Sequence, residues 1–242
     1  MKKESPLVSV TVQEIFPDKV EAFKDLIEQN ASLNKSVAPL RLIAIPEKET
    51  GNGEVVMIHY FKGGEKERKQ VVEGMKSSND WQEFVKSADP YTLCKKSTIF
   101  KEATAIQNSD KAAGLEPFAA EALNIDSPGV IEVKRANFQI KQGGNDDASS
   151  KFLAMYKKGV AAKAAAPDIA PSTALVTVLF SKQNDTVTVM EIWRHDNQEA
   201  MEQSKTAMQN CEEWKKTAAI IKKNASKITN NVFKPLSFSP IR

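Results

Sequence analysis

The chain repeats itself. Sliding the sequence by 133 positions brings Leu42 onto Leu175, Met57 onto Met190, Tyr60 onto Trp193 and Met75 onto Met208, with no gap. The same slide brings Trp81 onto Trp214 and Phe100-Lys101 onto Phe233-Lys234. With three tryptophans and seven methionines in 242 residues, this shared register predicts two copies of one folding unit. The copies are expected at 5–104 and 129–236. A linker over 105–128, with Leu115, Phe118 and Leu123 on a short helix, would join them.

Each copy carries the same order of signals. In the first, Val8-Ser9-Val10-Thr11-Val12 alternates with period two, as a half-buried strand does. Pro17 suits a first helical turn, and Val20, Phe23, Leu26 and Ile27 form a helical apolar stripe. Strands are expected at 40–45, 54–61 and 96–103, with a hairpin turn at Gly51-Asn52-Gly53 and one long helix over 65–88. In the second, strands are expected at 130–140, 174–180, 187–194 and 227–233, and helices at 149–165 and 198–223. Asn184-Asp185 marks the hairpin, and Gln142–Asp147 inserts a Gly-rich stretch that reads as a mobile rim over a cavity. The order β-α-β-β-α-β is the ferredoxin-like split βαβ unit. Both helices of such a unit cover one face of its sheet, so the other face needs burial. The expected fold class is α+β, with two tandem ferredoxin-like units forming a dimeric-type α+β barrel within one chain.

Charge and composition narrow the function. A net charge of +3 is too small to argue for nucleic acid, and no apolar run approaches the roughly 20 residues of a membrane span. No apolar segment follows Met1-Lys2-Lys3, so a cytoplasmic protein is expected. Cys94 and Cys211 lack metal-finger spacing, and two histidines cannot make a multi-histidine metal site within one chain. Walker, GxGxxG, HExxH and Ser-His-Asp patterns are missing from the sequence.

The segment Val189-Met190-Glu191-Ile192-Trp193-Arg194, followed by the helix at Glu199-Ala200-Met201, resembles the strand-to-helix segment of the antibiotic biosynthesis monooxygenase-like family. Met57-Ile58-His59-Tyr60-Phe61 is a weaker version, and Ser77–Phe84 is similar to that family's second helix. The resemblance implies a dimeric α+β barrel. It also implies cofactor-independent oxygenation of a small hydrophobic or aromatic, polyketide-like molecule. Members of the family ordinarily pair two chains; here the repeat would act as a pseudo-dimer, with a further homodimer open. The haem-degrading branch of the family carries a helical tryptophan and histidine that align near Met208 and Ala218, so that chemistry is disfavoured; its strand asparagine matches Asn137. The alternative reading is a non-catalytic ligand-binding or stress-associated protein of the same fold.

Glu191 and His59 are the candidate catalytic groups. By alternation Glu191 shares an apolar face with Val187, Val189 and Trp193 and reads either as a base of raised pKa or as one half of an ion pair with a base on a facing sheet. His59 reads as a catalytic base or as a hydrogen-bonded core residue. At the 133-residue slide their mates are Ile58 and Ile192, so the copies are expected to differ. Asn137, Trp193, Met208 and Trp214 are the expected substrate-binding residues, which puts any working pocket in the second copy. His195 reads as an exposed turn residue. Ser9, Thr11 and Gln13 read as lining a hydrated cavity or a solvent-exposed edge.

Overall fold

The computed structural model describes residues 5–37, 39–46, 53–100, 102–103, 129–139, 146–164 and 173–241. The expected linker helix, the Gly51-Asn52 part of the first hairpin and the Gly143-Gly144 rim lie outside them. Among the described residues, 5–102 with 232–241 form one compact unit and 129–231 a second.

Unit 1 consists of β1 (Leu7–Ile15), α1 (Val20–Gln29), α2 (Ala31–Val37), β2 (Leu40–Pro46), β3 (Gly53–Phe61), α3 (Gly64–Ser77), α4 (Asn79–Ala88) and β4 (Thr92–Phe100). Its antiparallel strands lie in the order β4-β1-β3-β2, with β1 paired from Leu7–Phe61 to Ile15–Gly53 against β3. Helices and sheet bury Ile15, Phe23, Ile27, Leu40, Ile43 and Val55 between them. Thr11 and Gln13 are buried on this same face. They neither line a wet cavity nor mark an edge, because Ser97 Oγ (2.8 Å) and Thr92 Oγ1 (2.5 Å) of β4 satisfy them.

Unit 2 consists of β5 (Val130–Gln139), α5 (Asp146–Ala164), β6 (Thr173–Gln183), β7 (Thr186–His195), α6 (Gln198–Asn210), α7 (Glu212–Asn224) and β8 (Ala225–Pro235), the last four residues of β8 belonging to unit 1. The strand order β8-β5-β7-β6 is the ferredoxin-like order again. Asn184 turns the β6–β7 hairpin at φ 51°, a left-handed conformation that asparagine tolerates well. From Val187 to His195, β7 is buried on both faces. The run of apolar residues on both sides of this central strand is what such burial demands.

The long helix expected in each copy is two helices. Ser78 leaves the helical region (φ −84°, ψ 118°) and its Oγ accepts from the Trp81 N–H, capping α4. Cys211 makes the same break (φ −81°, ψ 106°) without a side-chain cap. Apolar periodicity runs across the break, which hides it from a pattern reading. Among the described residues, no helix is long and apolar enough to cross a membrane.

Candidate functional site

The helix-covered face of unit 2 collects charge. Alternation along β7 sends Val187, Val189, Glu191, Trp193 and His195 to one face, and the β5–β7 register sets Phe138, Ala136, Lys134, Glu132 and Val130 beside them. Tyr156 and Lys163 of α5, two helical turns apart, come down on the same face. The Tyr156 hydroxyl donates to Glu191 Oε1. Lys163 Nζ donates to Glu191 Oε2 at 2.9 Å, and Trp193 Nε1 donates to the same oxygen at 2.7 Å. Lys163, wholly buried, lies 4.1 Å from the Trp193 ring centroid and 4.6 Å from that of Trp214.

The ion pair foreseen for Glu191 therefore exists, but its lysine comes from a helix of the same unit. Burial would raise the Glu191 pKa. The ammonium groups of Lys163 and Lys134 and the bonds from Tyr156 and Lys163 outweigh it and hold this carboxyl below the ordinary range. Burial lowers Lys163 to about 7 against the pull of Glu191. Burial, then the Glu191 charge, raises Tyr156, so it stays protonated as the donor.

A second cluster continues along the strand row. Glu132 receives Asn230 Nδ2 at 2.9 Å, with Lys134 Nζ at 2.9 Å and His195 Nε2 at 3.4 Å. His195 is fully buried, its Nδ1 2.9 Å from Thr173 Oγ1, rather than exposed in a turn. Pairing of β7 runs through His195 on both sides, to Val130 and to Thr173, so the last strand residue is enclosed by its neighbours. Glu132, despite the opposing effect of burial, is held well below the usual carboxylate range by His195, Lys134 and Asn230.

Between this floor and α7 lies a cavity of about 270 Å³. Glu191, Tyr156 and Lys134 reach its polar side; Ala136, Trp214 and Ile221 are among its apolar walls. Met208 is buried against Trp214, its sulfur 3.9 Å from Lys134 Nζ. Glu191 and Trp214 line the cavity; Trp193 and Met208 do not, but pack against them, Trp193 on Glu191 and Met208 on Trp214. Asn137 does not join them. It sits opposite Thr188 on the other face of the sheet, where its Oδ1 accepts from Thr188 Oγ1 at 3.1 Å and Arg135 Nε at 3.3 Å.

His59 lies in unit 1, on the helix-covered face of β3, 6.4 Å from the Phe61 ring. Burial, then the charge of Lys95, lowers it to about 4, so it is neutral at neutral pH. The faces also correct the pairing of the copies. The helices match at a slide of 133, but β3 and β7 match one residue further on. Met57 stands where Glu191 does, and His59 where Trp193 does, rather than Ile58 for Glu191 and Ile192 for His59. The helix following the strand is one residue shorter in unit 2, 13 against 14, which absorbs the difference. Ser9 and Thr11 hold the places of Glu132 and Lys134, so the charged floor belongs to unit 2.

The two depressed carboxyls fix an acid response. Their folded pKa values lie below the ordinary 4.5, so the stability they contribute is present above that pH and lost as pH falls through the folded values. The melting temperature is expected to fall steadily below about pH 4.5. In Glu132→Gln that fall should be shallower, because one fewer proton is taken up. An equal slope in both proteins, in melts between pH 2 and 6, would contradict the assignment.

Ala218 of α7 lines the cavity beside Trp214 and Ile221. Among the described residues, no three His, Cys, Asp or Glu side chains cluster as metal ligands.

No protein-family model matches the chain, and no curated protein matches it in sequence. Solved structures do. A candidate monooxygenase of Fusobacterium nucleatum aligns over 98% of this chain and 94% of its own, at 10% identity and a TM-score of 0.61. An anthrone oxidase-like protein aligns over 97% and 92%, at 12% identity and 0.59. A chlorite dismutase from Candidatus Nitrospira defluvii aligns over 97% and 93%, at 8% identity and 0.50. Identities this low speak for the fold alone, and at that level the resemblance to the antibiotic biosynthesis monooxygenase-like family is borne out: the chain has the ferredoxin-like α+β fold that these proteins share.

Proposed function

We propose that unit 2 is a cofactor-independent monooxygenase site for a small hydrophobic or aromatic molecule. The observation that carries this reading is an apolar cavity with one charged patch, where Glu191, Tyr156 and Lys134 meet. Oxygenation without metal or flavin needs a substrate that gives an electron to dioxygen once deprotonated, as anthrones and hydroquinones do. Glu191, kept ionised by its lysine neighbours, accepts the proton. The Lys134 ammonium faces the resulting anion, and Trp214 with Ile221 holds the flat ring and keeps water out. The proton held on Glu191 returns to the oxygen that departs as water, while Lys163 stays behind Glu191 as its counter-charge. For an anthrone the balance is a methylene and dioxygen giving a carbonyl and water, one oxygen atom to each.

The chain is expected to consume dioxygen with anthrone and to form the quinone. Lys134→Gln should lower the rate about 10–100-fold without unfolding the protein. A second reading has its own observation: Tyr156, Lys163 and Trp193 all donate to Glu191, as in an ion pair kept for structure. Anthrone that binds in the cavity but is never turned over would replace the monooxygenase with a carrier.

A further inference from the structure

Unit 1 has its own cleft, between α3, α4 and β4, with a volume of about 470 Å³. Its walls are apolar: Trp81, Met75, Val72 and Val85. The rest of the lining is Gln82, whose amide donates to the Lys76 carbonyl, and three lysines, Lys76, Lys86 and Lys95. Among the described residues, no carboxylate lines the cleft and none forms an ion pair with these three ammonium groups.

The contrast with unit 2 gives the lysines their meaning. The helices and last strands match at a slide of 133, and at that slide part of the wall persists, with Trp214 for Trp81 and Ala218 for Val85. The charges do not persist: Gln209, Ala219 and Ile228 stand at the places of Lys76, Lys86 and Lys95. Unit 2 carries its charge on the floor of its cavity and unit 1 carries it on the rim. Lys95 rises from β4 on the helix-covered face, opposite Gln13. Although its tip reaches solvent, the surrounding walls desolvate it enough to lower its pKa.

We propose that the unit 1 cleft binds a small organic monoanion with a flat or short-chain apolar body, such as an aryl carboxylate. The ring would lie on Trp81 and Met75, with its carboxylate between Lys86 and Lys95. Three unpaired ammonium groups around an apolar wall disfavour a neutral or cationic ligand. A cleft closed by one helix–strand corner suits a small molecule better than a macromolecular surface.

Titration calorimetry with 2-naphthoate tests this on the full chain, beside 2-naphthalenemethanol as the uncharged analogue. Naphthoate is expected to bind at least about tenfold more tightly than the alcohol and to weaken as salt rises. Lys86→Gln/Lys95→Gln should weaken naphthoate by about tenfold and leave the alcohol unchanged. Lys215→Gln/Lys216→Gln, which removes the same charge from α7, should change neither. Equal affinity for the two compounds, or naphthoate binding indifferent to Lys86 and Lys95, overturns the proposal. So does binding to phosphatidylglycerol vesicles without binding to monomeric naphthoate, which would assign the lysines to a lipid surface. Anthrone turnover in unit 2 is read separately and does not bear on these outcomes.

Discussion

Lys163→Met is expected to destabilise unit 2 by about 3–5 kcal/mol, because it leaves the Glu191 carboxylate buried without its counter-charge. Glu191→Gln should cost a similar amount for the converse reason. The double variant Lys163→Met/Glu191→Gln should recover most of either loss, since the glutamine oxygen still accepts from Trp193, its amide N–H donates to the Tyr156 hydroxyl, and neither charge of the pair is left buried. The pH dependence separates this account from simple loss of packing. Without Lys163, burial dominates and raises the Glu191 pKa above its unfolded value. The folded state then prefers the protonated acid, so the deficit of Lys163→Met shrinks as pH falls toward and below 4.5. Urea unfolding at pH 7 and pH 4.5 gives both numbers. Single-variant costs that simply add in the double, or a deficit that does not change with pH, would sink the buried-pair account.

How much of this was legible follows from the kind of signal each residue leaves. The 133-residue register rests on rare side chains, Trp81 with Trp214 and Met75 with Met208, and these sit on helices whose lengths match closely enough to keep it. Period-two alternation placed Glu191 with Val187, Val189 and Trp193, and the β7 register places them so. Alternation also puts Asn137 on one face, but sequence does not say which face of β5 the helices cover. Only the pairing with Thr188 does. The mate of Glu191 slipped by one residue because α6 is one shorter than α3, and in a strand one residue reverses the face. Lys163 and Tyr156 lie in an alanine- and lysine-rich helix with little amphipathic contrast, where a buried lysine looks like a solvated one. His195 reads as exposed beside Asp196 until the pairing of β7 on both sides encloses it.

The second large effect lies at Gly159, where α5 crosses α7. A Cβ at this position would come within 2.1 Å of Thr217 Oγ1 and 2.5 Å of both Thr217 Cβ and Cγ2. No rotamer of Thr217 relieves the Cβ contact, so in Gly159→Ala the two helices must move apart. Overpacking of this kind costs about 1–3 kcal/mol and sometimes more, against the roughly 1 kcal/mol that alanine gains over glycine in a helix. The displacement has a functional reading because α5 carries Tyr156 and Lys163 onto Glu191, and α7 carries Trp214 and Ala218 onto the cavity. Gly159→Ala is therefore expected to lower stability by about 1–3 kcal/mol and to weaken the hold on anthrone together with it. Compensation tests the cause. Thr217→Ala in the Gly159→Ala background keeps the offending Cβ and should restore little. Thr217→Gly removes it and should restore the helix spacing, less about 1 kcal/mol for glycine in a helix. Thr217 also bonds back to the Glu213 carbonyl at 3.0 Å, and both second-site changes lose that bond equally. If Thr217→Ala rescues as well as Thr217→Gly, the close helix approach is not what makes Gly159 necessary.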